Sequence, residues 1–149
     1  MIGLMFFSSI AFAAIQSFGP VVQDQTSQQA TDIPTQQIID YRMTPQQFQL
    51  ALGRGITVAT YKYSSDCVEC LEQKGLLEQA VLSQEFNGQI ILEEVETDEP
   101  TSLVVESYLG RRDVEKIDQQ SLVNVFCELV AQPPIGCAVV QNQDTQQPQ

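Results

Sequence analysis

The residues best suited to chemistry in this 149-residue sequence are its four cysteines, Cys67, Cys70, Cys127 and Cys137. The sequence contains no histidine. It therefore cannot form a Ser-His-Asp triad, a Cys-His dyad or a zinc site with histidine ligands. What remains is the chemistry of the thiols themselves: disulfide exchange, a structural disulfide, or the binding of a soft metal ion.

The motif CVEC at Cys67–Cys70 lies between a predicted strand and a predicted helix. Ile56–Tyr63 is rich in β-branched and aromatic residues, and a short polar turn separates it from a helix predicted over Cys67–Phe86. At a helix N-terminus, unpaired backbone N–H groups and the helix dipole lower the pKa of a thiol. Cys67 is thus the candidate nucleophile, and Cys70, which turns inward, is the candidate resolving cysteine.

Two other functions for Cys67 and Cys70 remain open, a purely structural disulfide and metal binding. A zinc site would use Cys127 and Cys137 as further ligands, but nine residues separate them, whereas about two to four are usual in a zinc knuckle. The other form of metal binding is that of a metallochaperone, which would hold a soft ion through Cys67 and Cys70. The lack of methionine and histidine near the motif counts against it.

Cys127 and Cys137 are predicted to form a structural disulfide. Cys127 falls within the last predicted helix, and Cys137 follows Pro133-Pro134, which ends that helix. A bond between them would hold the end of the chain against the helix and would add about 2–3 kcal/mol in the chain-entropy model. An electron relay from this pair to the first is the alternative, and the sequence offers no support for it.

Periodicity predicts alternating strands and helices, and hence an α/β sandwich. Thr44-Pro45-Gln46-Gln47 is a capping box with proline at the first helical position, and Gly53 ends that helix. After Pro100 the sequence fits either a helix to Leu109 or a hairpin, and the Leu-Val-Val run favours the hairpin. The remaining predicted elements are strands at Gln37–Met43 and Gln89–Val95 and a helix over 118–131.

The stretch Ile56–Phe86, with a strand, Cys67-Val68-Glu69-Cys70 and a long amphipathic helix, resembles the thioredoxin-like superfamily. The resemblance implies a mixed sheet of four to five strands flanked by helices. One helix of the family is expected to be missing, because the link from Val95 to Pro100 is too short for it. The family also commonly breaks the long helix near its second turn, where Gly75 stands.

The resemblance further implies a substrate groove at Pro100 and Thr101. The family places a cis-proline opposite its cysteine pair, and Pro100-Thr101 ahead of LVVES is the candidate. A cis Glu99–Pro100 bond beside the cysteines is therefore expected. The family's buried acid on the preceding strand has no counterpart in ATYKY.

Acidic residues dominate the charge of the chain. Seven Lys+Arg and nineteen Asp+Glu give a net charge of −12, which argues against nucleic acid or an anionic membrane surface as a partner. Asp66 and Glu69 oppose ionisation of Cys67 and predict a less oxidising disulfide than in strong oxidants. A second cluster, interpreted as a solvated acidic edge, comprises Glu93, Glu94, Glu96, Asp98 and Glu99.

Composition divides the chain into four parts. Residues 1–13 are uncharged and end in Ala11-Phe12-Ala13, which predicts a signal peptide or an N-terminal anchor. Residues 14–37 are predicted as a glutamine-rich flexible linker, 38–140 as the domain and 141–149 as a disordered tail. Export would place the even number of cysteines where disulfides persist.

The sequence therefore predicts an extracytoplasmic thiol–disulfide oxidoreductase, secreted or membrane-anchored, that acts on protein thiols or disulfides and needs no cofactor. Cys67 and Cys70 would carry the exchange. The membrane would be a partner only through the N-terminal anchor. The alternative is a non-catalytic binding or scaffold module that keeps the fold and uses all four cysteines for stability. An oxidised pair that resists mild reductant would favour the scaffold.

Overall fold

The computed structural model of the chain describes residues 32–143, in which five strands and four helices follow one another. The predicted leader and most of the predicted linker and tail lie outside these residues. The described elements are β1 (Ile38–Ile39), α1 (Pro45–Gly53), β2 (Thr57–Tyr63), α2 (Val68–Val81), β3 (Ile90–Glu96), β4 (Ser102–Ser107), β5 (Gly110–Val114), α3 (Gln119–Leu129) and α4 (Ile135–Gln143).

The five strands form one mixed sheet in the order β1-β3-β2-β4-β5. β1, β3 and β2 are parallel, while β4 and β5 are antiparallel to their neighbours. β2 is central and its first five residues, Thr57–Tyr61, are all buried, which agrees with its β-branched and aromatic composition. The hairpin after Pro100 is confirmed, and Tyr108-Leu109 forms its turn.

The larger core lies between one face of the sheet and helices α2 and α3. Tyr61 and Leu103 point to this face, and Leu77, Phe86 and Phe126 pack against it. The rings of Phe86 and Phe126 meet edge to face at 5.5 Å between their centroids, a favourable aromatic geometry. This layer therefore fixes the helix that follows the cysteine pair.

The smaller core lies on the opposite face, beneath α1. Val58 and Ile91 alternate with the residues of the larger core and pack with Ala51. The predicted capping box is confirmed: the Thr44 side chain accepts from the Gln47 amide, and the Gln47 side chain accepts from the Thr44 amide. These reciprocal bonds satisfy two amide groups at the helix start.

Described structure continues past both predicted domain boundaries. Gln47 donates to the carbonyl of Asp32 at 2.9 Å, and Gln37 donates to the carbonyl of Val81 at 3.3 Å, so the domain begins before residue 38. At the other end, α4 continues to Gln143. Helix α3 already ends at Leu129, where Val130 takes up an extended backbone, and Pro133-Pro134 lies directly before α4.

Helix α2 differs from its predicted form in two respects. It runs without a break through Gly75, because one glycine costs a helix only about 1 kcal/mol and packing against the sheet outweighs that cost. It ends at Val81, and turns lead from there to β3.

A five-residue link, Thr97–Thr101, joins β3 to β4 with no helix, as the sequence predicts. β3 and β2 end at the same edge of the sheet, and the antiparallel β4 begins at that edge. The link therefore crosses only the end of β2, a span of roughly 10 Å that five residues cover easily.

None of the helices within residues 32–143 has both the length and the apolar character needed to cross a bilayer.

Leu77 tests the packing of α2 against the sheet. Its side chain is completely buried, so Leu77→Ala is expected to lower the free energy of unfolding by about 2–5 kcal/mol. Leu82→Ala is the matched control, because Leu82 is 55% exposed and should lose less than about 1 kcal/mol. Urea denaturation measures both values. Equal losses in the two variants would contradict the described packing.

Candidate functional site

Cys67 and Cys70 form a disulfide at the start of α2, with 5.2 Å between their Cα atoms. Cys67 is the N-cap, and its Sγ accepts a hydrogen bond from the amide of Cys70 at 3.1 Å. Cys67 is partly exposed, whereas Cys70 is only 5% exposed. At the helix start, one cysteine is thus partly exposed and has a backbone donor at its sulfur, whereas the other cysteine is buried.

Thr101 lies against the buried sulfur. Its Oγ1 is 3.1 Å from Cys70 Sγ, and because the bonded sulfur carries no hydrogen, the hydroxyl is the donor. The strand register explains this contact, since Ser102 lies opposite Lys62 near the end of β2, just before the turn to Cys67. The β3–β4 link therefore delivers Thr101 to the disulfide.

The predicted cis bond at Pro100 is wrong. The described residues contain no cis peptide bond, so the Glu99–Pro100 bond is trans. The link from β3 to Thr101 contains no helix. The trans isomer, which an X-Pro bond favours, is sufficient for a link of this length. Pro100 is exposed, and it is Thr101 that lines the groove beside the disulfide.

That groove has a volume of about 310 Å³ and runs from the start of α2 across β4 to the end of β5. Both cysteines of the motif open onto it. Its charged side chains are two carboxylates, Glu69 and Glu115. The other lining residues are neutral: Gln73, Thr101, Ser102, Leu103, Val114 and Ile117. The groove is therefore a place where a polypeptide segment could lie against the disulfide.

Tyr61 supports the motif from below, a function that the sequence pattern did not reveal because core packing accounts for a strand tyrosine. The side chain is fully buried, and its hydroxyl donates to the carbonyl of Cys70 at 2.9 Å and lies 3.1 Å from Gln73 Oε1. Burial, together with the charges of Glu69 and Tyr63, raises the pKa of Tyr61 to about 12. The neutral phenol therefore persists as a donor at physiological pH.

The acidic cluster interpreted as a solvated edge is solvated only in part. Glu96, Asp98 and Glu99 are exposed, but Glu93 and Glu94 are buried. The physical reason is that β3 lies inside the sheet, with the segment at Met43 over Glu93 on one face and helix α2 over Glu94 on the other.

Each buried carboxylate has partners. Glu93 accepts from the amide of Met43 and the hydroxyl of Thr60, both at 2.8 Å. Glu94 forms an ion pair with Lys74 of α2 at 3.0 Å. Burial raises the pKa of Glu94, and the Lys74 ammonium opposes that rise. Helix α2 is thus held to the sheet by charge as well as by apolar contacts.

Lys74→Met tests this ion pair. It leaves Glu94 buried without its cation and should lower the free energy of unfolding by about 2 kcal/mol at pH 7. Because the folded-state pKa of Glu94 lies above its ordinary value of 4.5, the loss should shrink as the pH falls from 7 toward that value and Glu94 becomes protonated.

The control for this test is Lys116→Met. Lys116 pairs with Asp118 at 2.8 Å but is 83% exposed, so the change should stay within about 0.5 kcal/mol. Thermal unfolding across the pH range measures both variants. A loss in Lys74→Met that is constant with pH would contradict the described burial of Glu94.

The second disulfide joins α3 to α4. Cys127 and Cys137 are bonded, with 5.4 Å between their Cα atoms, and are 5% and 3% exposed. Both belong to the larger core. Among residues 32–143, no group of three or more His, Cys, Asp or Glu side chains is placed to hold a metal ion.

Replacing both Cys127 and Cys137 with alanine should lower the free energy of unfolding by about 2–3 kcal/mol, since the bond closes a short loop. The rate at which the Cys67–Cys70 disulfide opens in dithiothreitol should not change, because the two bonds lie on different elements. Denaturation and mass mapping of alkylated cysteines give the two readouts. A large change in the opening rate would instead indicate an electron relay.

No protein-family model and no curated protein sequence matches the chain. Among solved structures, it is similar to a mutant thioredoxin from Halobacterium salinarum NRC-1, with 10% identity over 70% of this chain and 96% of that one and a TM-score of 0.47. It is also similar to a chloroplastic thioredoxin z, with 14% identity over 76% of this chain and 97% of that one and a TM-score of 0.41.

The described residues form a mixed five-stranded sheet with flanking helices, the α/β architecture that the sequence predicts. The Cys-x-x-Cys pair forms a disulfide at the start of the helix that follows the central strand.

Proposed function

We propose that this chain is an extracytoplasmic thiol–disulfide oxidoreductase that acts on protein thiols and disulfides. The observation that carries the proposal is the unequal placement of the two bonded sulfurs. Cys67 is partly exposed at a groove and its Sγ accepts a hydrogen bond from the Cys70 amide, while Cys70 is buried beside Thr101. Disulfide exchange requires one sulfur that attacks the substrate disulfide and a second sulfur that then releases the substrate from the mixed disulfide.

The exchange proceeds in two steps. With the pair reduced, the Cys67 thiolate attacks one sulfur of a substrate disulfide, a mixed disulfide forms and a substrate thiolate leaves. Cys70, as thiolate, then attacks Cys67 Sγ, so that the Cys67–Cys70 bond forms and the second substrate thiolate leaves. Two electrons and two protons pass from the pair to the substrate. The reverse sequence oxidises a substrate dithiol.

The neighbouring residues act on defined atoms in these steps. The Cys70 amide, 3.1 Å from Cys67 Sγ, is a donor to the negative charge on the attacking sulfur. The Thr101 hydroxyl is the corresponding donor to Cys70 when that sulfur becomes the attacking or leaving group. Tyr61 is a positioning residue, since its hydroxyl holds the Cys70 carbonyl and thereby the first turn of α2.

The assignment to an extracytoplasmic compartment is supported by composition. Residues 1–13 are uncharged and end in a small-x-small site. The buried Cys127–Cys137 bond is of a kind that persists in oxidising compartments and is rare in the cytosol.

Trapping of a mixed disulfide tests the function. Cys70→Ser, treated with the neutral bis(2-hydroxyethyl) disulfide, should accumulate a stable adduct on Cys67. Cys67→Ser should form its adduct at least about tenfold more slowly, because Cys70 is buried and protein thiols react in proportion to their exposure and thiolate fraction. Intact-protein mass spectrometry over time measures both rates, and wild type should show no lasting adduct.

The scaffold alternative gives the opposite result. In that case the Cys67–Cys70 bond of wild type would remain closed in mild dithiothreitol, and the two serine variants would react at the same low rate. Either finding would remove the proposed activity. Alkylation after partial reduction, with labelling expected on Cys67 before Cys70, gives an independent check.

A further inference from the structure

The charged side chains that line the groove at the disulfide are all acidic. Glu69 comes from the first turn of α2, and Glu115 follows β5 at the other side of the groove. Asp66, directly before Cys67, is also exposed. A segment that crosses the groove to reach Cys67 therefore passes between carboxylates that come from different elements.

These carboxylates are not neutralised by the protein. Within residues 32–143, neither Glu69 nor Glu115 has a lysine or arginine nitrogen within 4 Å. Glu69 has only the neutral amide of Gln73, at 3.4 Å. Lys116, next to Glu115 in the sequence, directs its ammonium to Asp118 at 2.8 Å.

The cations of the chain lie elsewhere. None of its seven lysines and arginines lines the groove at the disulfide. Arg42, Lys62 and Arg111 line a separate groove on the α1 side of the sheet. Lys74 forms an ion pair with Glu94, and Arg112 forms one with Glu128. The charged residues that line the groove are thus all acidic, although basic residues are available in the chain.

We propose that Glu69 and Glu115 select substrates in which lysine or arginine flanks the reacting cysteine. The inference rests on the proposed function and names its substrate class. A cationic flank gains attraction at both sides of the groove, and an acidic flank is repelled there, in the encounter as well as in the mixed disulfide. Because both carboxylates are exposed, salt screens the effect.

Three small disulfides of different charge test the proposal with the full chain. They are cystamine, a dication; bis(2-hydroxyethyl) disulfide, which is neutral; and 3,3′-dithiodipropionate, a dianion. Each reacts with the reduced protein, and each rate is divided by the rate of the same disulfide with dithiothreitol, which removes intrinsic reactivity. In low salt the normalised rate for cystamine should exceed that for the dianion by about tenfold or more, as expected for electrostatic steering.

Glu69→Gln/Glu115→Gln should reduce this ratio several-fold toward one, and 0.5 M NaCl should do the same to wild type. Asp40→Asn/Glu85→Gln is the matched control. It makes the same change in net charge at two exposed acids outside the groove and should leave the ratio within about twofold. Glu115→Lys should move the preference toward the dianion.

The neutral disulfide separates this inference from the proposed function. A charge on Glu69 that merely altered the reactivity of Cys67 would change all three rates together and leave the ratio untouched. Ready exchange with the neutral disulfide, but an unchanged ratio in the groove variants or an equal fall in the control, would overturn the charge selection alone. No exchange with any of the three would overturn both.

Discussion

The double pairing of β2 is the constraint on which the site depends. β2 pairs with β3 along its whole length and with β4 over five residues, so its course is fixed from both sides. Its last residues determine where the turn to Cys67 begins, and the same register brings the start of β4 beside that turn. The proximity of Thr101 to Cys70 is therefore a consequence of sheet pairing. No loop other than the β3–β4 link and the turn after β2 is needed to bring the two residues together.

Polar groups inside the larger core give α2 its fixed rotation. The apolar residues of this helix do not form a clean stripe, and Leu71 and Leu76 remain exposed. The hydroxyl of Tyr61 contacts Cys70 and Gln73 of α2, and the carboxylate of Glu94 pairs with Lys74 of the same helix. Buried polar groups are costly when unpaired, so a rotation that broke either contact would be disfavoured. Hydrogen bonds and an ion pair therefore fix the rotation of α2. In a more amphipathic helix, the packing of the apolar face would fix it.

Features that neighbouring residues determine could be predicted from the sequence, whereas features that strand order determines could not. The capping box at Thr44–Gln47 and the helix start at Cys67 are local, and both are found in the structure. Glu93 and Glu94 look like solvent-facing acids until β3 is known to lie between two strands. The trans bond at Pro100 likewise depends on a five-residue path that exists only once β3 and β4 flank β2.

The two disulfides of the chain differ most in how a reagent can reach them. A sulfur is attacked along the axis of its bond. Cys127 and Cys137 are both buried in the larger core, where α3 and α4 meet. The bond at Cys67 opens onto a groove instead. This difference between the two disulfides is one of steric access, so it does not depend on their relative redox potentials. On the proposed function, we therefore expect repeated thiol exchange at one end of the sheet to leave the Cys127–Cys137 bond between α3 and α4 closed.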